Sequence, residues 1–274
     1  METEEKTMAF LHWEKLVQNN DFEQADRFYE KMLETQQADA QVCFVMGLWY
    51  RQRQQYKKST DALIYGLGLK PDSSESYYEL GNTLREMGND RLAEAQYKRC
   101  LALKPKDIDA MYCLGQVQAA QDKIEEAKKS FCATLHLSHY VQEMIAIAVE
   151  FSGIDMPDEA IGIYFAALIK EPDNAYLYSN LGVEYAEQKE FEDAVYCHER
   201  AIELDSENGD VWYNAACTYA LMGEPLRGLI ALEKAIAIDP GNVEFAVQDD
   251  ELETLRKHKR YWKLVKQESG FEQQ

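Results

Sequence analysis

The sequence predicts an all-α fold, a solenoid of stacked helix–turn–helix units, and three observations carry that prediction. The first is a proline spacing: Pro71 and Pro105 are 34 residues apart, Pro172 and Pro240 twice that, and Pro157 and Pro225 repeat the double spacing on a second phase. A fixed period in this range marks units that bury their apolar faces against one another. The second is a pair of small-residue columns. With proline near the end of each unit, the frames are 6–39, 40–73, 74–107, 108–140, 141–174, 175–208 and 209–242. Position 8 then holds Trp13, Gly47, Gly81, Gly115, Ala148, Gly182 and Ala216, and position 20 holds Ala25, Ser59, Ala93, Ala127, Ala160, Ala194 and Gly228. Two helices approach closely only where side chains are small, so these columns mark the crossing of helix A on helix B. The third is the large set around them: Leu80, Leu114, Ile147 and Leu181 at position 7, with Tyr29, Tyr97, Phe131 and Tyr164 at position 24, which read as core.

Taken in order, the first unit is degenerate, with His12 and Trp13 where an apolar residue and glycine belong, and is expected to act as an N-terminal cap. In the later units one proline phase follows helix B and stops it. Pro157 and Pro225 fall in the first turn of helix B, where a missing N–H costs nothing. Between Thr134 and Met144 the chain is one residue short of the period and His139 replaces the proline. That predicts altered stacking over 134–144, with an absorbed loop shortening as the alternative. Residues 243–266 carry Phe245, Val247, Leu252, Leu255, Tyr261, Trp262, Leu264 and Val265 and read as a capping helix over the last open apolar face. Residues 267–274 read as a frayed tail.

The pattern resembles the tetratricopeptide repeat (TPR) family. The clearest unit has Tyr77, Leu80, Gly81, Leu84, Ala93, Tyr97 and Pro105, and the last has Trp212, Tyr219, Ala235 and Pro240 in the same columns. The resemblance covers residues 6–242 and implies a right-handed α-α superhelix whose A helices line a concave surface, with positions 2, 5, 9, 12 and 13 facing a ligand. It does not by itself specify a function.

Those positions supply the candidate protein-binding residues. Position 5 reads Phe10, Phe44, Tyr78, Tyr112, Ile145, Ser179 and Tyr213, an aromatic column that could serve as a rail for an extended peptide or a helix. The alternative is that the rings pack sideways between A helices. Position 12 adds Arg51 and Arg85, which could select a carboxylate, against the alternative of pairing with residues such as Glu86. Position 9 adds Asn82. Asn180 and Asn214 at position 6 resemble a two-rung version of the asparagine ladder of some TPR superhelices, where amides pair with a peptide backbone. The family's clamp for acidic chaperone tails is not expected: it needs lysine and asparagine, then asparagine, then lysine and arginine in successive A helices, and the chain has Tyr78 and Asn82, then Cys113, then Gln142 and Ala146, so the basic residues are absent.

Composition narrows the rest. With 49 acidic against 29 basic residues and a net charge of −20, the average surface repels nucleic acid and anionic lipid, and neither is an expected partner. No apolar run approaches the ~20 residues that span a bilayer, and the acidic start METEEKTMAF lacks a signal-peptide core, so a soluble, cytoplasmic protein is expected. Six scattered cysteines show no metal or disulfide spacing and suit reduced core thiols. His136 and His139 form an H-x-x-H without a third ligand, and His198 takes a packing column. No phosphate loop or nucleophile motif is present, so neither cofactor, metal nor catalysis is expected. The basic run Arg256, Lys257, His258, Lys259, Arg260, Lys263 and Lys266 could touch an acidic partner, RNA or lipid head groups, or be a solvated face. The expected function is an interaction scaffold or adaptor for a protein or peptide. The alternatives are a TPR chaperone holding a secreted or assembling protein and a regulatory or recruiting subunit of an enzyme complex.

Overall fold

The computed structural model describes residues 2–19, 21–138 and 140–269, with the side chains of 2–9, 22 and 267–269 left aside. Among the described residues the regular structure is entirely helical. The chain forms two compact units, Met1–Ser138 and His139–Gln274. The first contains four hairpins: α1 (Glu2–Gln18) with α2 (Phe22–Glu34), α3 (Ala40–Gln52) with α4 (Tyr56–Leu69), α5 (Ser74–Glu86) with α6 (Asp90–Leu103), and α7 (Ile108–Ala119) with α8 (Ile124–Leu137). The second contains three: α9 (Val141–Gly153) with α10 (Pro157–Lys170), α11 (Ala175–Glu187) with α12 (Phe191–Leu204), and α13 (Gly209–Leu221) with α14 (Pro225–Ile238). It ends in α15 (Asn242–Gln248), a 3-10 turn (Asp250–Leu252), α16 (Glu253–Arg256) and α17 (Lys259–Ser269).

Local chemistry sets the helix boundaries. The residue before most A helices is a short polar side chain that caps the free amides of the first turn: Asp39 accepts from Val42, Ser73 from Ser76, Asp107 from Ala110, Asn174 from Tyr176 and Leu177, and Asn208 from Asp210. The irregular unit breaks this rule. Tyr140 stands at the cap of α9 and makes no side-chain cap bond. The boundary between the two compact units lies inside the same 134–144 stretch. His139 lies outside the described residues, and His136 is exposed. Each A-to-B turn from the second hairpin onward passes through one left-handed residue, namely Gln54, Gly88, Asp122, Asp155, Lys189 and Gly223, all at unit position 15.

Packing explains the small columns. A β-carbon on Gly47 would stand 2.6 Å from the Leu63 side chain, on Gly81 2.6 Å from the Tyr97 ring, on Gly115 2.5 Å from the Phe131 ring and on Gly182 2.6 Å from the His198 ring. Each of these partners is the position-24 residue of the same hairpin, and all four are buried to within 1% of their surface. Position 8 is therefore small because position 24 of helix B fills it. In the first hairpin Trp13 occupies the column instead and is itself buried with Ala25, Tyr29 and Met32. Five cysteines are buried, Cys132 is exposed, and none is paired.

The segment from Val243 to Lys266, expected as one helix, is divided into three. Asp249 is extended and its carboxylate caps the Glu251 amide at 3.0 Å, which ends α15 and starts the 3-10 turn. Arg256 then reaches back and donates to the carbonyls of Ala246, Val247 and Asp249, holding the bend. Leu252, Leu255, Tyr261 and Val265 are buried in one cluster with Leu229, Leu232 and Ile236 of α14. Of the tail expected from 267 onward, α17 runs to Ser269 and the last five residues lie outside the described set.

Candidate protein-binding site

In the first unit the A helices α1, α3, α5 and α7 carry the aromatic column. Phe10, Phe44, Tyr78 and Tyr112 are all half-buried. Their second faces are in use. Tyr78 leans on Tyr97 with ring centroids 6.1 Å apart at 50°, Tyr112 on Phe131 at 6.0 Å and 51°, and Phe10 on Trp13 at 6.1 Å. Burial, then the neighbouring Cys113, pushes the Tyr78 hydroxyl up to about 12. Position 5 thus packs on the large residue of its own hairpin or helix rather than standing clear of it. Ile145 and Ser179, the two non-aromatic members, are fully buried.

The polar candidates are largely committed. Arg51 bridges Glu79 at 2.8 Å and Glu86 at 2.9 Å, which is the ion-pairing alternative read from the sequence. Arg85 donates to Gln116 of α7. Asn82 is 6% exposed, and its carbonyl oxygen accepts from the Tyr97 hydroxyl at 2.8 Å while its amide reaches Glu79. Arg51 and Arg85 thus tie one A helix to the next, with the Arg51 charge balanced by two glutamates, while Asn82 is held within its own hairpin.

In the second unit Asn214 donates to Ser179 Oγ at 3.0 Å, whereas the enclosed Asn180 amide nitrogen has no hydrogen-bond partner. Tyr213 is half-buried, donates to Asp249 at 2.7 Å, and faces Phe245 with centroids 6.5 Å apart at 69°. Sequence reasoning placed Tyr213 and Asn214 but not the residues that meet them. Asp210, Asn242, Glu244, Phe245, Gln248 and Asp249 line a cavity of about 520 Å³ with that pair. Next to it, Cys217 Sγ and carboxylate oxygens of Asp249 and Glu251 lie within 4.8 Å of one another, a spacing a divalent cation could bridge. Burial, followed by the Asp249 charge, raises both Cys217 and Glu251 above their ordinary values. The signal for this site was weak, because it needs the bend at Asp249 that a single capping helix would not make.

One buried group of the second unit, Glu184, responds to pH. Glu184 is 3% exposed, its Oε2 has no partner, and burial raises its pKa. A carboxyl raised in the fold weakens stability as pH rises above its unfolded value of about 4.3. Glu184→Gln is therefore expected to raise the melting temperature at pH 7 and leave it nearly unchanged at pH 4, measured by thermal denaturation at the two pH values.

Family models for the tetratricopeptide repeat match residues 74–107, 175–208 and 209–242. The mouse Protein O-mannosyl-transferase TMTC3 is 24% identical over 209 residues, 76% of this chain and 21% of that one. Anaphase-promoting complex subunit 3 of Schizosaccharomyces pombe is 24% identical over 235 residues, 82% of this chain and 34% of that one. The chain thus spans between 21% and 34% of the length of these two relatives. The solved C-terminal part of a TPR repeat-containing protein from Cytophaga hutchinsonii superposes with a TM-score of 0.69 at 15% identity, covering 90% of this chain and 99% of that one. Among the described residues no helix is long and apolar enough to cross a membrane. With a helical hairpin repeating every 34 residues, glycines seated under position-24 side chains, and repeat matches in both units, the chain is a tetratricopeptide repeat protein.

Proposed function

We propose that this protein is a non-enzymatic interaction scaffold whose A-helix faces bind a peptide or helix of a partner protein. The observation that carries this reading is the half-buried position-5 column, Phe10, Phe44, Tyr78 and Tyr112, in which rings braced from behind by Trp13, Tyr97 and Phe131 keep a face toward solvent. Aromatic side chains held rigid by packing give contact area at low entropic cost. The relative named for a transferase activity matches over 21% of its own length, so that name carries no activity over to this chain. A subunit role in a larger assembly is the second reading, favoured by the fission-yeast relative, whose name makes it a subunit of a complex and whose match covers 82% of this chain.

The test is partner capture by the wild type and by Tyr78→Ala with Tyr112→Ala, using Gly115→Ala as a control of lowered stability with the same surface. Because both tyrosines touch buried rings, the double variant is expected to lose about 2 kcal/mol of stability as well as most of its partner binding. Equal capture by the double variant and the wild type would overturn the reading, as would equal loss in the Gly115→Ala control.

A further inference from the structure

We propose that the cavity between α13 and the C-terminal segment takes a basic side chain, arginine in preference to lysine, carried by a partner polypeptide. The proposal rests on the scaffold reading above, since the cation is taken to be borne by the bound partner. Two of the cavity's eight lining residues, Tyr213 and Phe245, are aromatic. Phe245 is 67% exposed, unusual for a phenylalanine, and stands edge-to-face against Tyr213, so an open ring face and a half-buried one border the same space. Its rim is anionic: Asp210, Glu244 and Asp249 are among the eight residues that line it, and none of the eight is basic.

These carboxylates lack counter-charges. Among the described residues Asp210, Glu244, Asp249 and Glu251 form no ion pair, in contrast to Arg51, which is balanced by two glutamates. Arg256 donates from Nη2 to three backbone carbonyls, and its ion pair is with Asp250, at 3.8 Å. Asp249 is held in place by the Tyr213 hydroxyl and the Glu251 amide, so its orientation does not depend on a ligand. A planar guanidinium fits this arrangement better than an ammonium, because it stacks on a ring while donating along its edge to a carboxylate. The segment bound at this cavity is therefore basic.

The experiment titrates the full chain, isotope-labelled, with N-acetyl-arginine amide and with the neutral isostere N-acetyl-citrulline amide, following backbone amide shifts. Arginine amide is expected to move the Tyr213, Asn214 and Phe245 signals saturably and citrulline amide at least tenfold more weakly. Phe245→Ala, and separately Asp210→Asn with Glu244→Gln, are each expected to weaken arginine binding at least fivefold; all three positions are exposed, so the fold is retained. Tyr78→Ala with Tyr112→Ala should leave it unchanged. Equal binding of the two amides, or shifts spread over the acidic surface and indifferent to Phe245→Ala, would overturn the proposal while leaving the scaffold reading to its own capture test. Partner capture that ignores both the tyrosine pair and the cavity variants would instead sink the scaffold reading, even with arginine amide bound.

Discussion

Gly115→Ala is expected to destabilise the first unit by about 2 kcal/mol, although alanine is the better helix former by about 1 kcal/mol. The added methyl would lie 2.5 Å from Phe131 Cε1 and 2.7 Å from Cδ1. The ring cannot swing away cheaply: Phe131 is 0% exposed and Tyr112 stacks against it at 6.0 Å. Helix A must then move off helix B along the hairpin's whole crossing. Gly68→Ala provides the contrast, since that glycine is also helical and nothing lies within 4 Å of the new methyl. It is expected to be neutral or stabilising by up to about 1 kcal/mol. Chemical denaturation of both variants decides this. Adding Phe131→Leu to Gly115→Ala should recover part of the loss, a coupling that a general helix-propensity effect would not produce.

His198→Phe is expected to remove most of the acid sensitivity of the second unit between pH 6.5 and 4. His198 sits in the position-24 column over Gly182, is 1% exposed, and takes one hydrogen bond, between Nε2 and Thr218 Oγ1 at 2.8 Å, while Nδ1 is enclosed without a partner. An imidazolium would have to donate from both nitrogens, and burial lowers the pKa from 6.5 to about 4. With the folded pKa below the unfolded one, the neutral ring's contribution is complete above pH 6.5 and is lost as pH falls through 6.5 toward 4. The shift corresponds to about 3 kcal/mol. Phenylalanine matches the aromatic at Phe131 in the same column, at the cost of an unpaired Thr218 hydroxyl, so the variant is expected to be slightly less stable at pH 7 and relatively more stable at pH 4.5. The quantity to compare is the pH slope of wild type minus variant, which cancels the carboxylates common to both. Parallel slopes would show that His198 binds its proton equally in the folded and unfolded chain and would contradict the prediction.

The fold was legible because its determinants are local and recur. Pro71, Pro105, Pro157 and Pro225 punctuate helices wherever they stand, and Gly81 and Gly115 are small for a reason intrinsic to each hairpin. The turn at position 15 was not legible: its left-handed residue is glycine only at Gly88 and Gly223, and Gln54, Asp122, Asp155 and Lys189 adopt the same conformation without the residue type that advertises it. The site was legible only in part. Position 5 marked Tyr78, Tyr112 and Tyr213, but a sequence column does not reveal which face of a ring is used, and Asn82 proved to serve Tyr97 from inside the hairpin. For Arg51 the pairing with Glu86 was legible as an alternative, whereas Glu79 and the Gln116 partner of Arg85 were not, because they come from other positions of the neighbouring A helices. Phe245 and Asp249 became neighbours of Tyr213 only through the break between α15 and the 3-10 turn, a tertiary event with no periodic signature.

The central claim, that a partner lies along the A-helix faces, is most directly tested by site-specific photocrosslinking. Benzoylphenylalanine would be placed singly at the exposed positions Gln41, Glu86 and Asp109 on A helices and at Leu92, Glu125 and Tyr196 on B helices. The account predicts that the A-helix positions give one discrete adduct with a common partner and that the B-helix positions do not. The same adduct from the B-helix positions alone, or equally from both sets, would contradict it.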